Sequence, residues 1–239
     1  MRIVKLDAID STNDFLRKMT QSETVDNFTV VTARAQTHGR GQMGSSWVSE
    51  QGKNLTMSML SRKDASNAAS IFQYNAAVAI AITDVLKTLT VPALSVKWPN
   101  DIMSGNRKIG GILIENIFRS DGRIESITGV GLNVNQTNFE ALPQASSLKL
   151  VTGKTFDVDA LALDIAQSIV QRFDNPDQAW SEYLEILFRK GQPTAFELPD
   201  GSRFMAVITA VGQDGRLEVQ FEDDSFKFFG IKEIKMLYQ

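Results

Sequence analysis

Between Phe28 and Ala35, apolar and polar side chains alternate along a run rich in β-branched residues. A period of two predicts a strand with one buried face. Asn54–Leu60 alternates in the same way, and Arg2–Leu6 reads as a shorter strand. Between the first two of these in chain order, Phe15, Leu16 and Met19 recur at helical spacing behind Ser11, a residue type that caps helix N-termini. Ala68–Leu89 spreads apolar residues over a broad face and predicts the longest helix. Leu94–Trp98 is a short apolar strand stopped by Pro99. The turn pairs Gly105-Asn106 and Asp121-Gly122 divide Ile102–Asn133 into a meander of strands. Helical spacing returns in Asp157–Phe173 and Gln178–Phe188, with Pro176 between them.

After Lys190 the pattern shortens. Alternating strands are punctuated by Asp200-Gly201, Asp214-Gly215 and Asp223-Asp224, which predicts a small β-barrel. The division expected is a main unit over 1–190 and a second over 191–239. Strands and helices mix in the first without strict βαβ alternation, so the fold class is α+β.

Composition narrows the chemistry. The 239 residues carry a net charge of -3, so the chain as a whole has none of the basic excess of a nucleic-acid binder. There is no cysteine, which removes disulfides and thiolate catalysis, and His38 is the only histidine. A zinc site of the usual kind is thereby excluded; a metal would use oxygen ligands and arrive with a substrate phosphate. His38 itself reads as a loop residue rather than a base. Met1–Asp7 is too short and too charged for a signal peptide, and Ala76–Ile82 is too short an apolar run to span a membrane. A cytoplasmic protein without membrane attachment is expected.

Gly39–Gly44 spells G-x-G-x-x-G, but no helical pattern follows it in Ser45–Gly52, so the dinucleotide-binding reading fails. The kinase loop and the Walker motif fail as well, the latter because Leu148 stands where its first glycine should be. The loop keeps unusual company: Lys97–Asp101, Lys108–Glu115 and Gly129–Asn133 each put glycine or a polar group in or beside an apolar strand. Glycine inside a strand often marks close approach by a ligand. Lysine at 97, in an apolar strand ahead of Pro-Asn-Asp, is poorly explained by packing. Trp98 reads as core.

Taken in order, Asp10–Asn13, Gln36, Gly39–Trp47, Lys97–Asp101, Lys108–Glu115, Gly129–Asn133 and Ala145–Leu148 resemble the biotin–protein ligase family. The resemblance implies a class II synthetase-like mixed sheet with helices, followed by an SH3-like C-terminal barrel. It implies a two-step reaction, in which biotin and MgATP give biotinyl-5'-adenylate and a carrier-protein lysine then accepts the biotinyl group. Ser11, Thr12 and Gln36 would bind the ureido ring, with Asn13, Gly39, Gly41, Gln42, Gly111, Gly129 and Gly131 completing the biotin site. Arg40 and Lys97 would act on the reacting carboxylate and α-phosphate. Trp47, Asn100 and Asn133, with Arg40 and Lys97, would form the nucleotide side, and Asp101 is a candidate Mg²⁺ contact. The expected partner is a biotin carboxyl carrier domain, and the expected assembly a monomer or homodimer. Two departures stand out. Gln42, Ser45 and Ser46 occupy positions that are basic in many family members. The Ser11-Thr12-Asn13 motif comes so early that it leaves no room for a helix-turn-helix domain, so no specific DNA binding is expected.

Overall fold

The computed structural model describes residues 1–64 and 69–238. Its centre is a seven-stranded sheet of β1 (Ile3–Ile9), β2 (Val30–Gln36), β3 (Leu55–Asp64), β4 (Leu94–Lys97), β5 (Asp101–Ser104), β6 (Arg107–Phe118) and β7 (Arg123–Leu132). The order is β1-β2-β3-β7-β6-β5-β4. Only β1 and β2 run parallel; the other neighbours are antiparallel. The expected α+β mixed sheet is present.

The pleat explains how one sheet serves two purposes. Successive residues of a strand face opposite sides. On β3, Leu55, Met57 and Met59 enter the main core against helices α2 (Ala69–Thr88) and α4 (Val158–Phe173). Thr56 and Ser58, the alternate residues, are buried on the other face. Helix α1 (Thr12–Ser22) covers part of that face, packing Leu16 and Met19 on Val31, Leu60 and Ile127. Burying each such aliphatic side chain stabilises the fold by about 1.5–3 kcal/mol. Ser11 caps α1 as expected, its hydroxyl accepting from the Asp14 N–H at 3.4 Å.

Several boundaries differ from the sequence reading. The second strand starts at Val30, because Phe28 has a φ of 60° and cannot sit in a ladder. The fourth strand ends at Lys97, and the Trp98–Pro99 bond after it is cis. Ala68, expected to open the long helix, lies outside the described residues. Pro176 does not separate two helices; it starts α5 (Pro176–Glu185), where its missing N–H costs nothing. That helix stops short of Phe188, since Ile186–Phe188 instead hydrogen-bond along β4 through Val96. The short helix α3 (Leu148–Thr152), capped by Ser147, was not anticipated.

The second sheet is antiparallel and built from β8 (Pro193–Glu197), β9 (Arg203–Val211), β10 (Leu217–Gln220), β11 (Phe226–Phe229) and β12 (Lys235–Leu237), in the order β11-β10-β9-β8-β12. The last strand closes beside the first, the order of an SH3-like barrel. Phe204 stacks with Phe196, Phe221 and Phe229 at 5.1–5.9 Å in its centre. The β9–β10 turn meets Trp98 and helix α2. Trp98 donates its indole N–H to the Gly215 carbonyl at 2.9 Å, and Phe72 lies so close to Gly215 that a Cβ there would overlap its ring. Among the described residues no helix is long and apolar enough to cross a membrane.

Candidate active site

The face of the sheet turned away from the main core carries two rows of residues in register. One row runs Thr56–Gly131–Gly111–Asp101 across β3, β7, β6 and β5. The next runs Ser58–Gly129–Leu113. Glycines form the middle of both rows. All of these positions except Ser58, which is fully buried beneath, line a cavity of about 270 Å³.

The glycines are required by what lies on them. A Cβ at Gly129 would be 2.6 Å from Asn13 Oδ1, and one at Gly131 would be 2.5 Å from Trp47 Cε2. Both distances are inside van der Waals contact, so any side chain would push Asn13 or Trp47 off the sheet.

At the polar end the N-terminus of α1 meets the end of β2. Gln36 Oε1 accepts from the Thr12 N–H at 2.8 Å and from its hydroxyl at 3.0 Å. Ser58 Oγ lies 2.7 Å from Thr12 Oγ1 and 2.5 Å from Asn13 Oδ1. Asn13 Nδ2 donates to Glu115 Oε2 at 2.8 Å. Ser11, Thr12, Asn13 and Ser58 are all buried, so each polar atom needs its partner; a buried group left without one costs about 1–3 kcal/mol. The network continues outward. Glu115 Oε1 takes both Arg17 and Arg40 at 2.8 Å, and Arg40 also pairs with Asp14 at 2.5 Å.

Arg40 belongs to the glycine loop, which is a small hairpin. Arg40 bridges to Ser46, the Trp47 N–H donates to the Gly39 carbonyl at 2.8 Å, and a tight turn at Gln42–Gly44 reverses the chain with Met43 at a φ of 54°. Trp47 is thereby laid on the glycine floor. Its indole N–H is buried and has no hydrogen-bond partner among the described residues.

A cleft of about 1000 Å³ opens on the other side of Trp47, between the central sheet and the C-terminal sheet. Trp47, Gln42, Ser46, Asp101 and Lys108 line both spaces. Lys108 Nζ is 2.5 Å from Asp101 Oδ1 and 5.9 Å from the Trp47 ring centroid. Lys97 Nζ is 3.4 Å from the other oxygen of Asp101. Lys232 reaches from the C-terminal sheet to the loop tip, donating to the Met43 carbonyl at 2.8 Å.

Most residues singled out from the sequence meet here. Ser11, Thr12, Asn13, Gln36, Arg40, Gly41, Gln42, Trp47, Asn100, Gly111, Gly129 and Gly131 line the small cavity. Three do not. Gly39 lies at the loop base, and Lys97 and Asn133 line the larger cleft. Asn133 is turned to structure as well, its amide donating to the Ser146 carbonyl at 2.9 Å. Lys108 lines both spaces and Lys97 the larger cleft, and the two stand on either side of the Asp101 carboxylate. Sequence reasoning also passed over Ser58 as a link in the polar chain, and Asp14 and Glu115 as partners of Arg40. Glu115 was visible at the end of the Lys108–Glu115 segment; Ser58 carried no signal beyond being polar in an apolar strand. His38 is exposed in the loop, where it was placed.

Among the described residues no three metal-ligating side chains cluster, and the carboxylate between the two spaces, Asp101, is held by two lysines. The donor set does not fit a resident divalent cation.

The family profile described as Biotin/lipoate A/B protein ligase family matches residues 6–135. The bifunctional ligase/repressor BirA of Escherichia coli is 32% identical over 138 residues, 58% of this chain and 42% of that protein. It and three further BirA relatives are matched over 42–48% of their own length, so the chain spans under half of each. The biotin--[acetyl-CoA-carboxylase] ligase of Mycobacterium tuberculosis is 29% identical over 216 residues, 87% of this chain and 79% of the other. In fold the chain is similar to the biotin protein ligase of Aquifex aeolicus, solved in complex with biotin and ATP. The TM-score is 0.79 at 22% identity, over 100% of this chain and 99% of the other.

Proposed function

The chain belongs to the biotin/lipoate A/B protein ligase family, and we propose that it activates biotin with ATP and passes the biotinyl group to a lysine of a carrier protein. The observation that carries the choice of acid is the polar end of the small cavity. Half-buried Gln36 and the buried Thr12, Ser58 and Asn13 form a chain of donors and acceptors beside a glycine floor. A ureido ring needs such a set of placed donors and acceptors, and an apolar tail needs the slot beside it. Lipoate has a dithiolane in place of the ureido head and would leave those polar groups without ligand partners. The two-sided arrangement supports the rest: the acid lies in the small cavity, the nucleotide in the larger cleft, and their reacting ends meet between Trp47 and Lys108. We take residues 1–190 as the catalytic unit and 191–239 as an accessory one.

In the first step a carboxylate oxygen of biotin attacks the α-phosphorus of ATP. The P–O bond to pyrophosphate breaks, and biotinyl-5'-adenylate forms. Both reactants are anionic, so fixed cations are needed where charge accumulates. Lys97 and Lys108, on either side of Asp101 at the seam, and Arg40 above the cavity supply them. Each now pairs with carboxylates, the two lysines with Asp101 and Arg40 with Asp14 and Glu115, so the incoming anions compete for cations already held in place. The Gly39–Trp47 hairpin covers the junction and excludes water from the mixed anhydride. In the second step a carrier lysine, as the free amine, attacks the carboxyl carbon. AMP leaves, and the nitrogen gives up a proton.

Exchange of labelled pyrophosphate into ATP tests this with each acid in turn. Exchange is expected with biotin and not with lipoate, followed by one biotinylated lysine when a biotin carboxyl carrier domain is added. Exchange with lipoate alone would overturn the choice of substrate, and no exchange with either would overturn the activity.

A further inference from the structure

The polar chain at the end of the small cavity has two fixed ends. Gln36 Oε1 accepts from the Thr12 N–H, so that amide is turned with its oxygen toward Thr12. Glu115 fixes the other end. Its Oε1 takes the Arg17 and Arg40 guanidinium groups, each at 2.8 Å, and its Oε2 is left for Asn13, also at 2.8 Å. A carboxylate only accepts, and so does the Leu113 carbonyl, 3.5 Å from the same Asn13 nitrogen. The nitrogen of Asn13 has to face these acceptors, which leaves its oxygen beside Ser58 and above Gly129.

Between those two acceptors stand two hydroxyl groups. Thr12 Oγ1 is 3.0 Å from Gln36 Oε1, Ser58 Oγ is 2.7 Å from Thr12 Oγ1, and Asn13 Oδ1 is 2.5 Å from Ser58 Oγ. Three oxygen–oxygen contacts share two hydrogens, since each hydroxyl donates once. However the hydroxyls turn, one contact has no hydrogen in it. With Thr12 donating to Gln36 and Ser58 donating to Thr12, the oxygen left bare is Asn13 Oδ1. Thr12, Asn13 and Ser58 are buried, and Asn13 lines the cavity. Among the described residues, this end of the cavity therefore holds one acceptor more than its own donors satisfy.

We propose that Glu115 is a positioning residue: by fixing the Asn13 amide it leaves this end of the cavity short of one hydrogen, and so selects an acid whose head group brings an N–H. Glu115 does not line the cavity and acts through Asn13. The inference rests on the function proposed above and deepens it. The head of the acid is recognised for the hydrogen it donates, as a cyclic urea does, and not for ring size alone. A cyclic carbonate of the same shape, with oxygen in place of both N–H groups, would set an acceptor against an acceptor.

The test uses the full chain and exchanges the two partners. In Glu115→Gln the arginines still only donate, so the new amide keeps its oxygen toward them and turns its NH2 to Asn13. Asn13 then reverses and points its own NH2 at Ser58. By calorimetry the Kd for biotin should rise about ten- to a hundredfold. Asn13→Asp alone sets two carboxylates against each other and should weaken binding as much. The double variant restores an acceptor beside Ser58 with a donor behind it, and should return to within about threefold of wild type. The cyclic carbonate analogue of biotin gives a reading that a merely structural role would not move. Wild type and the double variant should prefer biotin to it by about a hundredfold or more, and in Glu115→Gln that preference should fall about tenfold. Single variants that bind like wild type, a double variant no better than the singles, or an unchanged preference in Glu115→Gln would each overturn the proposal. If wild type binds neither compound, the choice of acid fails. The double variant should then still regain the melting temperature that each single variant loses, and without that recovery the pairing of Glu115 with Asn13 fails as well.

Discussion

The small cavity and the larger cleft share Trp47, Asp101 and Lys108, yet they are built in different ways. The cavity is set by strand register within one sheet: Thr56, Gly131, Gly111 and Asp101 are aligned by backbone hydrogen bonds. The cleft is spanned by side chains reaching between two sheets, through Trp98 to Gly215, Lys232 to Met43 and Gln144 to Tyr238. Register moves only in whole steps, so the floor of the cavity is rigid. A set of separate side-chain ties can loosen one at a time, so the cleft is the part that can change its width.

The widest test of that contrast lies where the two spaces meet. Lys108→Ala should lower the kcat of pyrophosphate exchange by about 10²- to 10³-fold, as expected when a charge-stabilising donor is removed, while the melting temperature stays near that of wild type. A large fall in melting temperature would make Lys108 a structural residue instead. Within the cavity, Gly129→Ala should raise the Kd for biotin about ten- to a hundredfold by calorimetry, because the new methyl displaces Asn13 and opens the polar chain, at about 1–3 kcal/mol per orphaned group. Unchanged affinity would mean that the chain does not hold the acid. The cleft should respond least. Trp98→Phe loses the bond to the Gly215 carbonyl and should cost about 1 kcal/mol in denaturant unfolding, with biotin affinity unaltered. Weakened biotin binding in that variant would show that the two spaces are not independent.

How much of this was legible beforehand follows the same division. Alternation in Asn54–Leu60 identified β3 and its buried face, because Leu55, Met57 and Met59 recur with period two. The cap at Ser11 and the turn glycines are local signals and were read correctly. Pairing between distant strands is not local, so the rows that bring Ser58 beside Asn13 and Asp101 beside Gly111 had no signature in one sequence. The facing of Lys108 has a definite cause. Counting back from Gly111, simple alternation points Lys108 toward the core. The register shifts between Ile102 and Met103, which leaves Ile109 as an extra residue, and Ile109 is fully buried in the core. One added residue inverts the facing of everything before it. Lys108 is thereby turned to the cavity, a reversal that only the paired strand reveals. The loop's helical turn at Gln42–Gly44 was equally hidden, since Met43 holds its left-handed conformation without a glycine to announce it.

Trp47 has one more consequence, and it is optical. Its indole lies at the seam with a buried N–H, and the Lys108 ammonium sits beside its ring. Indole emission changes colour with the electric field along the ring, so a cation that leaves for a substrate anion changes the light the residue emits. The chain has three tryptophans, and the other two are Trp98 and Trp180. With those two replaced by phenylalanine, the site would carry its own lamp, reporting in real time when the hairpin and its lysine rearrange around a bound acid.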